Sequence, residues 1–415
     1  MDELKRQLLG WLEADRDELI RFMSGFLQAK SANPPGDTRE AADHISRYLQ
    51  ARQVPHRFVA AFDHMPNVVG TYEGGAGEGR HLVLNGHIDV FPAIDDYGWS
   101  GEVKDGKIFG RGASDMKTGT AAGVFAYAYL HRLREHLKGK LTLTCVSDEQ
   151  SGGKYGTRYL FETIPDEVKG DCCLNGEPSG INNIRFMEKG TLRFRVTARA
   201  PGGHGGYPHL SANPIKIVAA IVQEMERFHG RRAPMPADIA AALDTPEAIA
   251  GTNKGMGDGA ADVVRFITVN PGVIQGGLKV NQIAPDCMVE FDLRIPFGFD
   301  RDEILAEVRA IVGAHPEASM EMFDAHSYPP SAADPNGEMV RILQDNVKSL
   351  KGFTPVPLSS LGGSDSRYWR YDGIPAYLYG PSPVSMGRRD EHVTVEEFLH
   401  IVTTHVLSAF DYLRK

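Results

Sequence analysis

The chain has 415 residues, with 45 Lys plus Arg against 54 Asp plus Glu, a formal net charge of -9 and a sequence pI of about 5.9. Hydrophobic residues make up 42% and charged residues 24%, a balance that is typical of a globular protein and excludes a disordered chain. No apolar run approaches the length of a membrane span, and no Lys/Arg-dense run offers the basic face that nucleic acid requires. We therefore expect roughly two or three domains and neither a membrane nor a nucleic-acid partner.

The N-terminal segment, residues 1–28, mixes charged residues with Leu, Trp, Ile and Phe at helical spacing, which predicts an amphipathic surface helix. It lacks the apolar centre and the cleavage site of a signal peptide. The four cysteines show no CxxC spacing and lie in apolar runs, so we expect buried, reduced thiols. These features together predict a cytoplasmic protein.

Residues 1–187 alternate apolar strands with helices. Strands are predicted over 81–90, 141–149 and 170–178, and a helix over 118–137 lies between the first two. Short apolar runs that end in Gly and acidic residues are typical of buried strands in an α/β sheet. We therefore predict the first part of an α/β domain here.

Residues 188–326 show a different pattern, which predicts a strand-helix-strand-strand-helix-strand order. That order is typical of a ferredoxin-like α+β unit. The stretch 231–259 is rich in Ala, Pro, Asp and Gly and predicts a long loop or lid. Helix and strand alternate again over 327–415, so the expected architecture is an α/β domain interrupted by this insert. The predicted elements of the insert are a strand at 191–200, a helix at 213–228, strands at 263–273 and 287–295, a helix at 302–312 and a strand near Met320.

Several polar clusters directly follow apolar runs. Because ligands bind beyond the carboxyl ends of strands in open α/β sheets, we expect these clusters to converge on one crevice. Imidazole and carboxylates together form a ligand set for zinc, manganese or cobalt. Each cluster alone has a structural alternative, since a strand-end Asp often caps a helix and a lone His is often a hydrogen-bonded structural group. The clusters are His87 and Asp89 in NGHIDVFP, Asp115 in GRGASDMKTG, Asp148, Glu149 and Gln150 in VSDEQSGG, and Glu177 in NGEPSG.

Taken in order, the motifs resemble those of the metallopeptidase and deacylase family that includes glutamate carboxypeptidase, acetylornithine deacetylase, succinyl-diaminopimelate desuccinylase and aminoacylase. The resemblance implies a zinc-peptidase-like α/β catalytic domain (1–187 and 327–415) with an inserted ferredoxin-like dimerisation or lid domain (188–326). It also implies a small-molecule carboxylate substrate and a homodimer or larger homo-oligomer formed through the insert. The motifs are GHIDV, GRGxxDMKxG, SDE, NGEP, GGHGGYPH, LKVNQIAPD, FDLRIP and GGSDSR, and they span nearly the whole chain.

The resemblance also implies roles for individual residues. His87, Asp115 and Glu177 would bind a metal, with Asp115 in the position that bridges two metals in relatives. Asp89 would orient His87 and fix its tautomer. Glu149 would be the general base, taking a proton from water activated by the cation.

Further positions match the family's oxyanion and substrate contacts. His204 in GGHGG resembles the histidine that reaches the partner subunit's active site to stabilise an oxyanion. Asn281 and Arg294 resemble contacts to the substrate carboxylate, which the planar fork of Arg can bind with two parallel hydrogen bonds. Gly363 and Arg367 in GGSDSR resemble a loop that lines the same pocket. For Arg294 the alternative is a surface ion pair at a strand end.

Two departures from the family pattern affect the second metal. The acidic ligand expected after the general base is Gln150, a neutral amide. In GPSPVSMGRRDEHVTV the expected histidine is absent, and Gly387 or Val384 stands in its place. His392 is an alternative ligand, although a packing role is favoured. We therefore infer one divalent ion per subunit, manganese or zinc first, with cobalt or iron as alternatives.

One divalent ion supplies less Lewis acidity than two for a tetrahedral amide intermediate. An electron-poor aromatic ring can hold the charge of an addition intermediate itself, so we favour hydrolytic deamination of a small electron-poor amino-aromatic carboxylate. Conversion of 5-nitroanthranilate to 5-nitrosalicylate and ammonia is the example known in this family. The alternatives are an N-acyl-amino-acid deacylase or carboxypeptidase and an inactive binding or assembly module, and retention of Glu149 argues against the last.

Overall fold

The computed structural model describes residues 3–414, which form a large mixed sheet, a smaller antiparallel sheet and the helices that cover them. The helices are α1 (Glu3–Ala14), α2 (Arg16–Gln28), α3 (Arg39–Ala51), α4 (Lys117–His131), α5 (Thr157–Thr163), α6 (Pro165–Val168), α7 (Pro214–Met225), α8 (Ala237–Leu243), α9 (Pro246–Met256), α10 (Ala260–Val263), α11 (Arg301–Gly313), α12 (Glu338–Lys351), α13 (Ser366–Tyr371) and α14 (Val395–Leu413). The strands are β1 (Arg57–Val59), β2 (Asn67–Glu73), β3 (His81–His87), β4 (Val103–Lys104), β5 (Lys107–Phe109), β6 (Lys140–Val146), β7 (Cys172–Asn175), β8 (Asn183–Glu188), β9 (Gly190–Arg199), β10 (Gly203–His204), β11 (Thr268–Gly276), β12 (Gln282–Ile283), β13 (Asp286–Ile295), β14 (Ala318–Met322), β15 (Ser331–Ala332), β16 (Val356–Ser360), β17 (Ala376–Leu378) and β18 (His392–Thr394).

The large sheet has the order β1-β2-β6-β3-β7-β17-β8-β15, and β16 also pairs with β8. Its central strands β6, β3, β7 and β17 are parallel. In their register His87 lies beside Val146, and Asn85 lies beside both Thr144 and Asn175. The carboxyl ends of three neighbouring strands therefore meet at one edge of the sheet.

Helices cover both faces of the large sheet, which confirms the predicted α/β class. Helix α4 is rich in Ala and Gly, is buried from Lys117 to Leu130, and packs against β3 and α14. The Nζ of the buried Lys117 donates to the carbonyls of Phe26 and Ala29, so this buried amine is hydrogen-bonded. On the opposite face, Trp369 of α13 packs in an apolar cluster with Val83.

The smaller sheet has the order β11-β13-β9-β14, with α7 and α11 packed on one face. Side chains of β9 and β13 alternate between buried and half-buried positions, as expected for a sheet with one covered face. The open face carries ion pairs such as Arg193 with Asp292 and Arg195 with Glu290. The chain order β9, α7, β11, β13, α11, β14 is the predicted ferredoxin-like order.

The stretch predicted as a loop over 231–259 instead contains helices. We call residues 237–263, which hold α8, α9 and α10, the cover segment. Helix α9 begins with a Thr245 side chain that accepts the N–H of Ala248, and with a proline at its first position. Ile239 and Leu243 of α8 belong to the core of the large domain, and α8 and α9 contact β16. The predicted strand at 263–273 accordingly begins later, at Thr268.

The predicted single N-terminal surface helix is two helices that meet at Asp15. The side chain of Asp15 accepts a hydrogen bond from the Tyr129 hydroxyl, and α2 buries Phe22, Met23 and Phe26. Met1 and Asp2, at the start of the predicted helix, lie outside the described residues, as does Lys415. The four cysteines are free and buried. Over residues 3–414, no helix is both long enough and apolar enough to span a membrane.

Candidate functional site

The edge where the central parallel strands end carries three of the predicted site residues. His87 is the last residue of β3, Glu149 follows β6, and Glu177 follows β7. Asp115 joins them from the loop that precedes α4. The structure thus brings together side chains that are up to 90 residues apart in the sequence.

The four side chains form a compact cluster in which His87 and Glu177 are buried and Asp115 and Glu149 are half-buried. The Nε2 atom of His87 lies 3.0 Å from Asp115 Oδ1, 3.4 Å from Glu177 Oε1 and 3.9 Å from Glu149 Oε2. One ligand atom each from His87, Glu149 and Glu177 lies within 4.8 Å of the others. A nitrogen donor and several carboxylate oxygens at these separations fit a divalent cation.

The electrostatics of the cluster also fit a cation. Burial, followed by the charge of Asp115, raises the pKa of Glu177 to about 7. Burial raises the pKa of Glu149 well above 4.5, and the charge of Glu177 adds to this effect although His87 opposes it. For His87, burial lowers the pKa, but the hydrogen bonds that its ring donates to the carboxylates of Asp115, Asp89 and Glu177 raise it well above 6.5. Three carboxylates therefore share one imidazole, and a divalent ion would balance their charge.

Asp89 lies beside the cluster and makes two kinds of contact. Its backbone carbonyl accepts a hydrogen bond from Nδ1 of His87 at 2.7 Å, which directs Nε2 toward the carboxylates of the cluster, where a metal would bind. Its carboxylate accepts the backbone N–H groups of Glu149 at 3.2 Å and Gln150 at 3.0 Å, and the side-chain amide of Asn33 at 2.9 Å. Asp89 therefore orients His87 through its backbone and positions Glu149 through its carboxylate.

Glu391 supports the site, a role that the sequence analysis missed. It is 2% exposed and forms an ion pair with Arg111. Its Oε1 accepts the backbone N–H groups of Gly112, Ser114 and Asp115 at 3.1, 3.0 and 3.3 Å. Glu391 thus holds the loop that carries Asp115. In the sequence it lies in the charged run RRDEH, which reads as an exposed loop.

A cavity of about 710 Å³ opens beside the cluster. Asp115, Glu149, Gln150 and Glu177 form one part of its wall. Two arginines, Arg185 and Arg294, and a glycine-rich turn that includes Gly363 form other parts. The remaining wall is largely apolar, with Phe91, Pro178, Met256, Leu361, Leu378, Pro383, Val384 and Met386.

The sequence profile of peptidase family M20/M25/M40 matches residues 83–409, which include every residue of the cluster. The chain belongs to this family. Membership confirms the family that the motifs resembled, and it makes the chain a metal-dependent hydrolase of C–N bonds.

Curated relatives of this M20-family chain include succinyl-diaminopimelate desuccinylases. The enzyme from Sulfurimonas denitrificans is 26% identical over 412 residues, which cover 93% of this chain and 98% of its own. The enzyme from Cereibacter sphaeroides is 29% identical over 344 residues, which cover 80% of this chain and 83% of its own.

Two solved structures share the fold. An M20 family metallo-carboxypeptidase from Sulfolobus solfataricus has a TM-score of 0.79 at 16% identity, covering 95% of this chain and 99% of its own. A dinuclear metal binding peptidase of the M20 family from Bacillus subtilis has a TM-score of 0.65 at 15% identity, covering 97% of this chain and 99% of its own. At these identities the likeness shows the fold alone.

The two positions where this M20-family chain departs from the expected second-metal ligands are both visible in the site. The Nε2 of Gln150 donates to Asp115 Oδ2 at 3.1 Å. Gly387 has φ 74°, which places its backbone in the left-handed region, and its N–H donates a hydrogen bond to Glu391. Val384 is 74% exposed and lines the cavity, and which of the two positions corresponds to the missing ligand stays a prediction.

His392, the alternative ligand, lies in a three-stranded sheet of β18, β5 and β4. Its Nδ1 hydrogen-bonds the carbonyl of Asp390 at 2.7 Å. Its ring packs against Phe109 with 5.3 Å between the ring centroids. The structure therefore gives His392 the packing role.

His204 and Asn281 do not line the cavity within one chain. His204 lies in β10, which pairs with β12, and the Asn281 carbonyl accepts the N–H of Gly205 at 2.8 Å. Both side chains are exposed on the insert. The role of His204 in a partner's site stays a prediction.

The three remaining predicted residues differ in their surroundings. Arg294 lines the cavity and also forms the alternative ion pair, with Asp292 Oδ2 at 2.9 Å. At Gly363 a Cβ would lie 2.0 Å from Tyr328 Oη, so a side chain cannot fit there. Arg367 lines a separate cleft, and its Nη atoms donate to the carbonyls of Ser364 and Gly152 at 2.6 and 3.1 Å. Arg367 therefore fixes the loop but does not line the cavity beside the cluster, and its predicted part in substrate binding stays a prediction.

Proposed function

We propose that this chain hydrolyses a C–N bond in a small anionic molecule with one divalent ion, and that it deaminates an electron-poor amino-aromatic carboxylate such as 5-nitroanthranilate. The contact between Gln150 Nε2 and Asp115 Oδ2 carries this proposal. A neutral amide donor occupies the Asp115 oxygen that a second cation would need. A one-metal site suits a ring that can hold the developing negative charge itself.

In this proposal His87, Asp115 and Glu177 hold the ion. When bound, it supplies Lewis acidity, lowering the pKa of water and stabilising negative charge. Glu149 is the base because its oxygen is the farthest of the three carboxylates from His87 Nε2 and its backbone is fixed by Asp89. It takes a proton from water as the water oxygen bonds to the ring carbon. As the C–N bond breaks, the proton passes from Glu149 to the departing nitrogen, which leaves as ammonia.

The cavity suits such a ring. Phe91, Leu361, Leu378 and Met386 provide apolar contact area. The guanidinium of Arg294 offers a charge-assisted partner for the ring carboxylate.

Deacylation of an N-acyl amino acid is the second candidate, and the names of the relatives favour it. Both curated relatives described above are succinyl-diaminopimelate desuccinylases. The same base and ligands would serve amide hydrolysis, with Arg294 as the carboxylate contact. In that case Gln150 would weaken the binding of a second ion without changing the reaction class.

A mixed panel of substrates separates the two candidates. Protein loaded with manganese or zinc is incubated with aminobenzoates, including 5-nitroanthranilate, and with N-acyl amino acids, and product masses and free ammonia are followed. We expect an aromatic amino group to be replaced by hydroxyl with release of ammonia. Cleavage of an acyl-amino acid without ring deamination would overturn the first candidate in favour of the second.

We further propose that a second copy of this chain pairs with the insert. Strand β11 is an edge of the smaller sheet, and it is exposed from Asn270 to Gly276. Leu278 and Val280 extend the exposed apolar surface at 91% and 102% exposure. His204 and Asn281 lie beside this surface, where a partner would bring them toward a second active site.

A further inference from the structure

Arg185 is a buried cation that faces the cavity. It lies in β8, is 3% exposed and contributes to the cavity wall beside Met256 of the cover segment. Its Nη1 donates to the Ser359 carbonyl and contacts Met256 Sδ at 3.4 Å. Burial lowers the pKa of its guanidinium to about 10, so it remains charged at neutral pH.

Within residues 3–414, Arg185 lacks the counter-charge that the other buried arginines have. Arg111, Arg367 and Arg370 each lie within 4.0 Å of a carboxylate oxygen. Arg185 forms no ion pair in that range, its Nε has no hydrogen-bond partner, and its Nη2 donates no hydrogen bond. Because an uncompensated buried charge is costly, the presence of this arginine beside a cavity indicates that a ligand supplies the missing acceptor.

The sheet register sets the distance between the strand that carries Arg185 and the strand that leads to Glu177. Leu378 of β17 pairs with Asn175 of β7 and with Arg185 of β8. Arg185 therefore lies two strand spacings, about 10 Å, from the strand that leads to Glu177. A small molecule in the cavity can reach both ends.

We infer that Arg185 binds a second acceptor group of the substrate, a nitro or carboxylate oxygen, at the end opposite the metal ligands. The inference deepens the proposed function and rests on it only for the identity of the ring. As the water oxygen bonds to the ring carbon, the displaced electron pair moves through the ring to the acceptor group. It returns as the C–N bond breaks and ammonia leaves. The Arg185 contact strengthens while the acceptor holds that charge.

The test measures binding, not turnover, with paired ligands and manganese-loaded protein. Calorimetry compares salicylate with 5-nitrosalicylate, and N-acetylglycine with N-succinylglycine, which differ by one acceptor group. In at least one of the two pairs, we expect the ligand with the additional acceptor group to bind at least about tenfold more tightly than the other member of the pair. Arg185→Met should remove that advantage, while Arg57→Met, which removes an exposed arginine paired with Glu167, should keep it.

Each outcome bears on the inference. An advantage in the acyl pair alone supports the Arg185 subsite and rejects the aromatic substrate. The subsite would be overturned if the wild-type protein bound both members of each pair with equal affinity. It would also be overturned if Arg185→Met weakened the binding of both members of a pair equally. If Arg185→Met does not fold, Arg185→Lys keeps the charge without the fork and should reduce the advantage; an unchanged advantage in Arg185→Lys would contradict the inference.

Discussion

At the scale of single residues, Glu149 has the most sharply defined expected effect. Its half-buried carboxylate lies 3.9 Å from His87 Nε2, and its backbone N–H donates to Asp89. Glu149→Gln preserves this shape but cannot take a proton, so kcat/KM should fall about 10²–10⁴-fold. Metal content and melting temperature should stay near those of the wild-type protein, and the exposed Glu162→Gln variant provides the control. A loss below tenfold would reject Glu149 as the base.

Much of this cluster could be predicted because each side chain follows a recognisable strand or glycine-rich motif. Arg185 could not, because NNIRFMEKG reads as an ordinary strand and only the folded chain shows that the arginine lacks a counter-charge. Arg367 matched a motif, yet its donors bind the Ser364 and Gly152 carbonyls. Which donors remain free depends on neighbours that are distant in the sequence.

At the scale of elements, the segment between β17 and β18 is where the sequence lacks the histidine expected for a second metal. Gly387 is left-handed, so a histidine there would be strained, whereas Val384 is exposed on the cavity wall. The double variant Gln150→Glu, Val384→His should therefore raise the metal content from one ion to two per chain, measured by elemental analysis. Gln150→Glu, Val384→Leu should keep one. A double histidine variant that still binds one ion would show that Val384 is not the ligand position.

The contact between α2 and α3 predicts a dependence of stability on pH. His44 of α3 stacks on Phe26, its Nε2 bonds the Phe22 carbonyl, and burial lowers its pKa from 6.5 to about 4. Between these values the unfolded state binds a proton that the folded state does not. The free energy of unfolding should therefore fall as the pH falls from 7 to 5.

Urea unfolding at pH 7 and pH 5 checks this. His44→Gln should lose less stability over that range than the wild-type protein, whereas the exposed His136→Gln variant should lose as much as wild type. Equal losses in all three proteins would contradict the assignment of His44.

Element boundaries were less predictable than element types. The strand-helix order of the insert follows from periodicity, but residues 231–259, rich in Ala, Pro, Asp and Gly, predict a loop or lid where the structure has helices α8 and α9. These helices are stabilised by contacts of Ile239 and Leu243 with the core of the large domain. Such long-range packing overrides a weak local signal.

At the scale of the whole molecule, the two-sheet architecture was predictable because strand periodicity changes within the chain. His204 lies on the insert and does not line the cavity of its own chain, so its predicted role requires a second copy. The paired-chain proposal gives it a role in a second copy.

Mixing two inactive variants tests that proposal. A hybrid of His204→Ala and Glu149→Gln chains contains one site with both an intact Glu149 and an intact His204 from the partner. We expect activity to recover in the mixture but in neither variant alone. The hybrids are purified with two different tags. If they show no recovery of activity, His204 does not act in the active site.

A metal titration shows whether a single ion is sufficient for hydrolysis. Metal-free protein is titrated with Mn²⁺ while product formation from the substrate identified in the panel is followed in parallel with bound metal. We expect activity to reach its maximum at one ion per chain and not to increase when more ion is added. Activity that requires a second tightly bound ion would contradict the one-metal site and the role assigned to Gln150.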